Sequence, residues 1–274
     1  MTYRTLLVHA QPLDAAKPRL AVAAALARDL GARLDALSAE VEPSLGVADP
    51  YGMLQAEWFS VMQTELERRF ELSRALFAEA ADGLEGEWRG VRDLPTRALA
   101  GAARACDLIV AGGAPLDDND LYTAVDTAEL VVRSGRPVLV APPAGGQLRG
   151  KAVVVAWKDS REARRAVADA LPLLQRADQV VVYEICGRDD AEGAAFRTEE
   201  VAAHLLRHGV KARAKVRAGA DDRVCDELNI EAEAIDADLI VSGAYGHHRL
   251  NEWVFGGVTR GLLRRPERFV LLSH

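Results

Sequence analysis

Asp107-Leu-Ile-Val-Ala-Gly-Gly113 returns as Asp238-Leu-Ile-Val-Ser-Gly-Ala244, 131 residues further on. Each copy is a short apolar run that ends on glycine, the pattern of a buried strand entering a turn. Two further segments repeat in the same order. Leu6-Leu-Val-His-Ala10 matches Val153-Val-Val-Ala-Trp157, and Arg136-Pro-Val-Leu-Val140 matches Arg268-Phe-Val-Leu-Leu272. A repeat this long is too large for a solenoid unit and fits a whole small domain. The 274 residues suffice for two such domains.

The join falls in Pro142-Pro-Ala-Gly-Gly-Gln-Leu-Arg-Gly150, which has no periodicity and is rich in turn-formers. The expected domains are therefore residues 1–143 and 150–274. In the second, strands are predicted near 151–156, 179–184, 210–217, 238–242 and 268–273, and helices near 160–175, 192–208, 221–236 and 253–264. Asp159 and Glu162 have the spacing of a capping box, and Gly209 is placed to end a helix in the left-handed conformation. Ala152-Val-Val-Val-Ala156 does not alternate, as expected of a strand covered on both faces. The first domain repeats the pattern, with strands near 5–10, 33–39, 87–92, 107–111 and 137–141. It carries an insertion: a loop from Pro43 to Gly52 and a long helix from Gln55 to about Leu84. Strand–helix alternation predicts an α/β fold, two doubly wound five-stranded parallel-sheet domains in tandem.

Composition narrows the function. A formal net charge of −7 speaks against DNA or an anionic membrane as partner. No apolar run approaches the roughly 20 residues that span a bilayer. Cys106, Cys186 and Cys225 are far apart and odd in number, which argues against a disulfide framework and for a reducing compartment, the cytoplasm.

Ligands of such sheets bind beyond the carboxyl ends of the strands, where the strand order reverses. The loop there in the second domain reads Ser242-Gly-Ala-Tyr-Gly246, then nine residues, then Gly256-Gly-Val-Thr259 opening the last helix. Glycines allow close backbone approach, and a helix N-terminus offers free N–H groups to an anion. Turn formation alone explains such glycines equally well.

Gly243, Gly246 and Gly256 form Gly-x2-Gly-x9-Gly, and with the tandem halves the chain resembles the universal stress proteins. The resemblance covers the chain but is strong only in the second half. It implies a 3-2-1-4-5 strand order in each domain and ATP or AMP in the crevice. By position, Ser242, Gly243, Tyr245 and Gly246 would lie along ribose and phosphates, and Gly256, Gly257, Val258 and Thr259 would cradle the phosphates. Gly257 stands where the family has Ser or Thr, which removes a hydroxyl donor worth about 1 kcal/mol. Lys158 stands where nucleotide-binding members have Asp; it could reach a phosphate as a point charge or equally mark a site that no longer reads adenine.

The first half departs further. Gln11 stands at the Asp position, Pro115 replaces the second glycine, and Asp117, Asp118 and Asp120 would repel phosphate. His204 and His208 share a helix face as a possible metal pair, but no third ligand is evident, so a helix-end role is favoured and a metal stays open. The reading is a cytoplasmic stress-response protein that works by binding adenine nucleotide, with unknown protein partners. Its halves form an internal pseudo-dimer, and a homodimer stays open. A weak ATP hydrolase and a nucleotide-free interaction scaffold are the rival readings.

Overall fold

The computed structural model of the chain describes residues 2–41, 53–113, 124–219, 223–245, 257–264 and 266–274. The first half contains β1 (Thr5–His9), α1 (Lys17–Leu30), β2 (Arg33–Ala39), α2 (Met53–Ala80), β3 (Trp88–Val91), α3 (Pro95–Ala102), β4 (Leu108–Ala111), α4 (Thr127–Ser134) and β5 (Val138–Val140). The second half contains β6 (Ala152–Trp157), α5 (Arg161–Leu174), β7 (Gln179–Cys186), α6 (Ala191–Arg207), β8 (Ala212–Ala218), α7 (Val224–Ala234), β9 (Leu239–Gly243), α8 (Gly257–Arg264) and β10 (Phe269–Ser273).

The strands run β3-β2-β1-β4-β5-β10-β9-β6-β7-β8 in one ten-stranded sheet. Each half is a doubly wound parallel sheet in the order 3-2-1-4-5. At the seam β5 and β10 pair antiparallel, with Val140 opposite Val270 and Val138 opposite Leu272. Central strands are apolar throughout because helices cover both faces. Val153 and Val155 enter the layer under α5 and α6, whereas Val154 enters the opposite layer with Leu228 of α7 and Leu262 of α8. Each such fully buried valine contributes about 1.5–3 kcal/mol of hydrophobic stabilisation.

The outer strands differ. β8 alternates half-buried and exposed residues and presents Arg213, Lys215 and Arg217. These charges pair with Glu231 and Glu227 of α7 and discourage pairing with another chain at this edge.

Helix ends follow local chemistry, with one correction. The cap of α5 is Ser160, whose Oγ accepts the Ala163 N–H at 3.3 Å. Asp159 instead pairs with Arg164. Gly209 follows α6 with φ of 78°, the left-handed conformation expected of it. The long insertion helix begins at Met53 and ends at Ala80, before the predicted Leu84; Leu84 N–H already bonds the Ala81 carbonyl in a turn. The Pro43–Gly52 loop lies outside the described residues.

Candidate functional site

Two strand exits frame the crevice of the second half. β6 and β9 are parallel neighbours, with Ala156 opposite Ser242. Their connections run to opposite faces of the sheet, which opens a gap beyond their carboxyl ends. Lys158 is exposed directly after β6, where its carbonyl accepts the Ser160 N–H at 2.6 Å. Trp157 before it is buried, and its indole N–H has no hydrogen-bond partner among the described residues.

At the end of β9, Ser242 is buried and its hydroxyl donates to the Gly243 carbonyl at 2.9 Å. Gly243 makes a different close approach from the one expected of it. A methyl group there would lie 2.6 Å from the Glu162 carbonyl carbon and nearer still to the Ala163 nitrogen. The first turn of α5 therefore rests on Gly243. The Ala244 N–H donates to the Ser273 carbonyl, and the His274 ring nitrogen Nδ1 lies 2.9 Å from the Ala244 carbonyl. Both contacts tie this strand exit to the end of β10.

Tyr245 follows at φ of 63°. A bulky side chain in the left-handed region stores about 1–3 kcal/mol of strain, a feature that clusters at binding loops and switch regions. Burial pushes the Tyr245 phenol up, and the Asp126 carboxylate of the first half adds to the shift. The phenol thus stays neutral at physiological pH.

α8 opens at Gly257, which is exposed; no atom of the described residues beyond its chain neighbours and its own helix comes within 4 Å of where a side chain would begin. Its first-turn N–H groups have no intrahelical acceptor. The Val258 carbonyl accepts the Cys225 thiol at 3.4 Å, and Thr259 is buried. Tyr245 and Val258 pack on the same apolar layer, so strand exit and helix start flank one region. Of the predicted residues, Lys158, Ser242, Gly243, Tyr245, Gly257, Val258 and Thr259 are described; Gly246 and Gly256 lie outside the described residues.

The equivalent place in the first half is built differently. Register aligns Leu108 beside Leu6 and Leu239 beside Val153, which makes Gly112 the counterpart of Gly243. Arg19, on α1, reaches into this place. Its Nε donates to the His9 carbonyl at 3.0 Å and one terminal nitrogen to Gln11 Oε1 at 2.9 Å. Nothing in the motif pattern pointed to Arg19. A methyl group on Gly113 would lie 2.9 Å from the Leu263 carbonyl oxygen, so this loop abuts the end of α8. Pro115, Asp117, Asp118 and Asp120 lie outside the described residues. Among the described residues no three His, Cys, Asp or Glu side chains come together as a metal site, and none of the helices is long and apolar enough to cross a membrane. The His204 and His208 rings meet edge to face, with centroids 4.6 Å apart.

Residues 150–274 match the model of the universal stress protein family. A universal stress protein from Archaeoglobus fulgidus superposes on the whole chain with TM-score 0.71 at 15% identity, covering 98% of this chain and 95% of its own. A functionally unknown protein from Pseudomonas aeruginosa superposes with TM-score 0.62 at 18% identity, covering 99% and 92%. At these identities the likeness concerns the fold. No curated protein sequence matches the chain.

Proposed function

We propose, from the match of residues 150–274 to the universal stress protein family, that the chain is a stress-response protein that works by holding one adenine nucleotide, ATP or AMP, in the crevice of its second half. The start of α8 carries the reading. Gly257 is exposed there, and no described atom beyond its chain neighbours and its own helix lies close to where its side chain would begin. The first-turn N–H groups and positive dipole end of a helix suit a phosphate. Tyr245, held at positive φ, and Lys158, exposed on the neighbouring strand exit, would face the rest of the ligand. Gly246 and Gly256 would complete the cradle.

Binding is favoured over hydrolysis on the residue types. Lys158, Ser242, Tyr245 and Thr259 include no carboxylate to hold magnesium or draw a proton from water. Free thiols at Cys106, Cys186 and Cys225 support a reducing compartment, which we take to be the cytoplasm.

Mass spectrometry of small molecules released from the purified protein tests the proposal. Calorimetric titration with ATP and AMP is expected to give one site per chain. Two equal sites, or none, would overturn it.

A further inference from the structure

We propose that the open edge of β3 is the surface on which two copies of the chain meet, β3 pairing antiparallel with the β3 of the second copy about a two-fold axis at Gly90. β3 ends the ten-stranded sheet, and Arg89 and Gly90 are exposed there. The Glu87 and Val91 carbonyls accept the N–H groups of Ala36 and Glu40 from the β2 side. Backbone groups alternate in direction along a strand, so those of Trp88 and Gly90 point away from the sheet. No further strand among the described residues takes them. A groove of about 450 Å³ follows this edge, lined by the whole of β3 and by Glu67, Phe70, Glu71 and Arg74 of α2.

Charge and register both fit a second copy. The groove carries two carboxylates, Glu67 and Glu71, and two guanidinium groups, Arg74 and Arg89. A partner of a single charge sign would be repelled by part of it. Phe70 lies over Gly90, where a methyl group would come within 3.1 Å of the Phe70 ring, and Arg74 lies over the Trp88 ring, 4.8 Å from its centroid. α2 therefore runs antiparallel to β3, and a two-fold axis at Gly90 sets Glu67 of one copy level with Arg74 of the other. Outward-pointing residues oppose one another in an antiparallel pair, which leaves two registers that match three residues of β3 with three of its copy. One sets Arg89 against Arg89, and like charges directly opposite repel. The other sets Gly90 against Gly90 and Arg89 against Val91. The sheet already joins its own halves in this manner, through the antiparallel pairing of β5 with β10. Its other edge is guarded, because β8 presents Arg213, Lys215 and Arg217. The assembly therefore closes as an isologous dimer and does not extend into a fibre.

The test is sedimentation velocity of the full chain over a concentration series, with no nucleotide added, so that its result is independent of the crevice of the second half. A reversible dimer is expected, and the Trp88 and Gly90 amides are expected to gain protection from hydrogen exchange as the dimer fills. The pair of Arg89 with Val91 occurs on both sides of the axis. Val91→Glu is therefore expected to tighten the dimer and Val91→Lys to loosen it, each by roughly threefold to tenfold. Adding Arg89→Glu to Val91→Lys is expected to restore it. Thermal melting establishes that each variant folds; where one does not, the exchange measurement on the unaltered chain decides. A chain that stays monomeric at every concentration would leave the edge to a different partner and overturn the proposal. A dimer that ignores both charges, or that forms without protecting Trp88 and Gly90, would overturn it as well and place the contact on another surface.

Discussion

Asp107 and Asp238 perform the same task in the two halves. The Asp107 carboxylate accepts the backbone N–H groups of Arg4 at 2.7 Å and Thr5 at 3.0 Å, at the entrance to β1. The Asp238 carboxylate accepts those of Arg149 at 2.6 Å and Gly150 at 3.0 Å, just before β6. Each Asp stands at the start of its half's fourth strand and fixes the chain that leads into the first. Asp238 also holds the end of the segment that joins the halves.

Replacing either Asp by Ala leaves two backbone donors without their charged acceptor. Each change is expected to lower stability by about 1–3 kcal/mol, and the losses are expected to add because the sites are far apart in the fold. Urea denaturation of Asp107→Ala, Asp238→Ala and the double variant measures both points. Limited proteolysis within 142–150 is expected to quicken in Asp238→Ala alone.

Gly243 packs against the backbone of α5, whereas Gly257 meets no described atom beyond its chain neighbours and its own helix. In Gly243→Ala the new methyl meets the backbone of Glu162 and Ala163, which can yield only if α5 shifts. A loss of about 1–3 kcal/mol is expected from this overpacking. In Gly257→Ala the methyl meets no described atom beyond its chain neighbours and its own helix, and stability is expected to stay level or rise by about 0.4–1 kcal/mol through the unfolded chain. Equal melting temperatures for the two variants would contradict this division of roles.

His9 makes stability pH-dependent. Burial first, and the Arg19 charge second, hold its folded pKa well below the ordinary value. The unfolded chain binds the proton at about pH 6.5, whereas the folded chain does not. Stability is therefore fully present above about pH 6.5 and falls as pH drops toward the folded pKa, by at most about 1.4 kcal/mol per pH unit. His9→Leu removes this contribution. Denaturation at about pH 7.5 and about pH 5 is expected to show the smaller acid loss in the variant, and equal losses would exclude His9 as the cause.

Gly256→Asp is expected to abolish nucleotide binding while leaving the fold intact. A carboxylate at the opening of the last helix would satisfy its free N–H groups and favour its dipole. The same charge would repel phosphate by roughly 4 kcal/mol at about 4 Å and an effective dielectric near 20. That is on the order of a thousandfold in affinity. Unchanged melting with lost calorimetric binding supports a phosphate cradle. A large fall in melting temperature would mark the glycine as structural.

The strands are legible in the sequence because burial on both faces leaves unbroken apolar runs such as Val153–Val155. The duplication shows itself through the same physics. Contacts between side chains and distant backbone are not legible. Asp107 and Asp238 stand out as repeated letters, yet nothing local says that they grip the entrances to β1 and β6. Likewise Asp159 and Ser160 both fit a helix cap, and only the path of the chain selects Ser160. Gly243 belongs to a recognisable motif, but its nearest neighbour is Ala163 in a helix turn, 80 residues earlier in the chain. Arg19 carries no motif. Its reach to the His9 carbonyl and to Gln11 is a property of three-dimensional packing.

The antiparallel meeting of β5 and β10 bears on how such a protein can change over generations. In a dimer of identical chains, any substitution strikes both crevices at once, so a loop cannot be lost from one without being lost from the other. Fusion removes that constraint. The seam still joins two half-sheets, and a single chain holds its halves together at high effective concentration whatever the level of expression. Each crevice can then accept mutations that the other never experiences. Arg19 over Gly112 and the α5 backbone over Gly243 show one architecture furnished differently in the two halves.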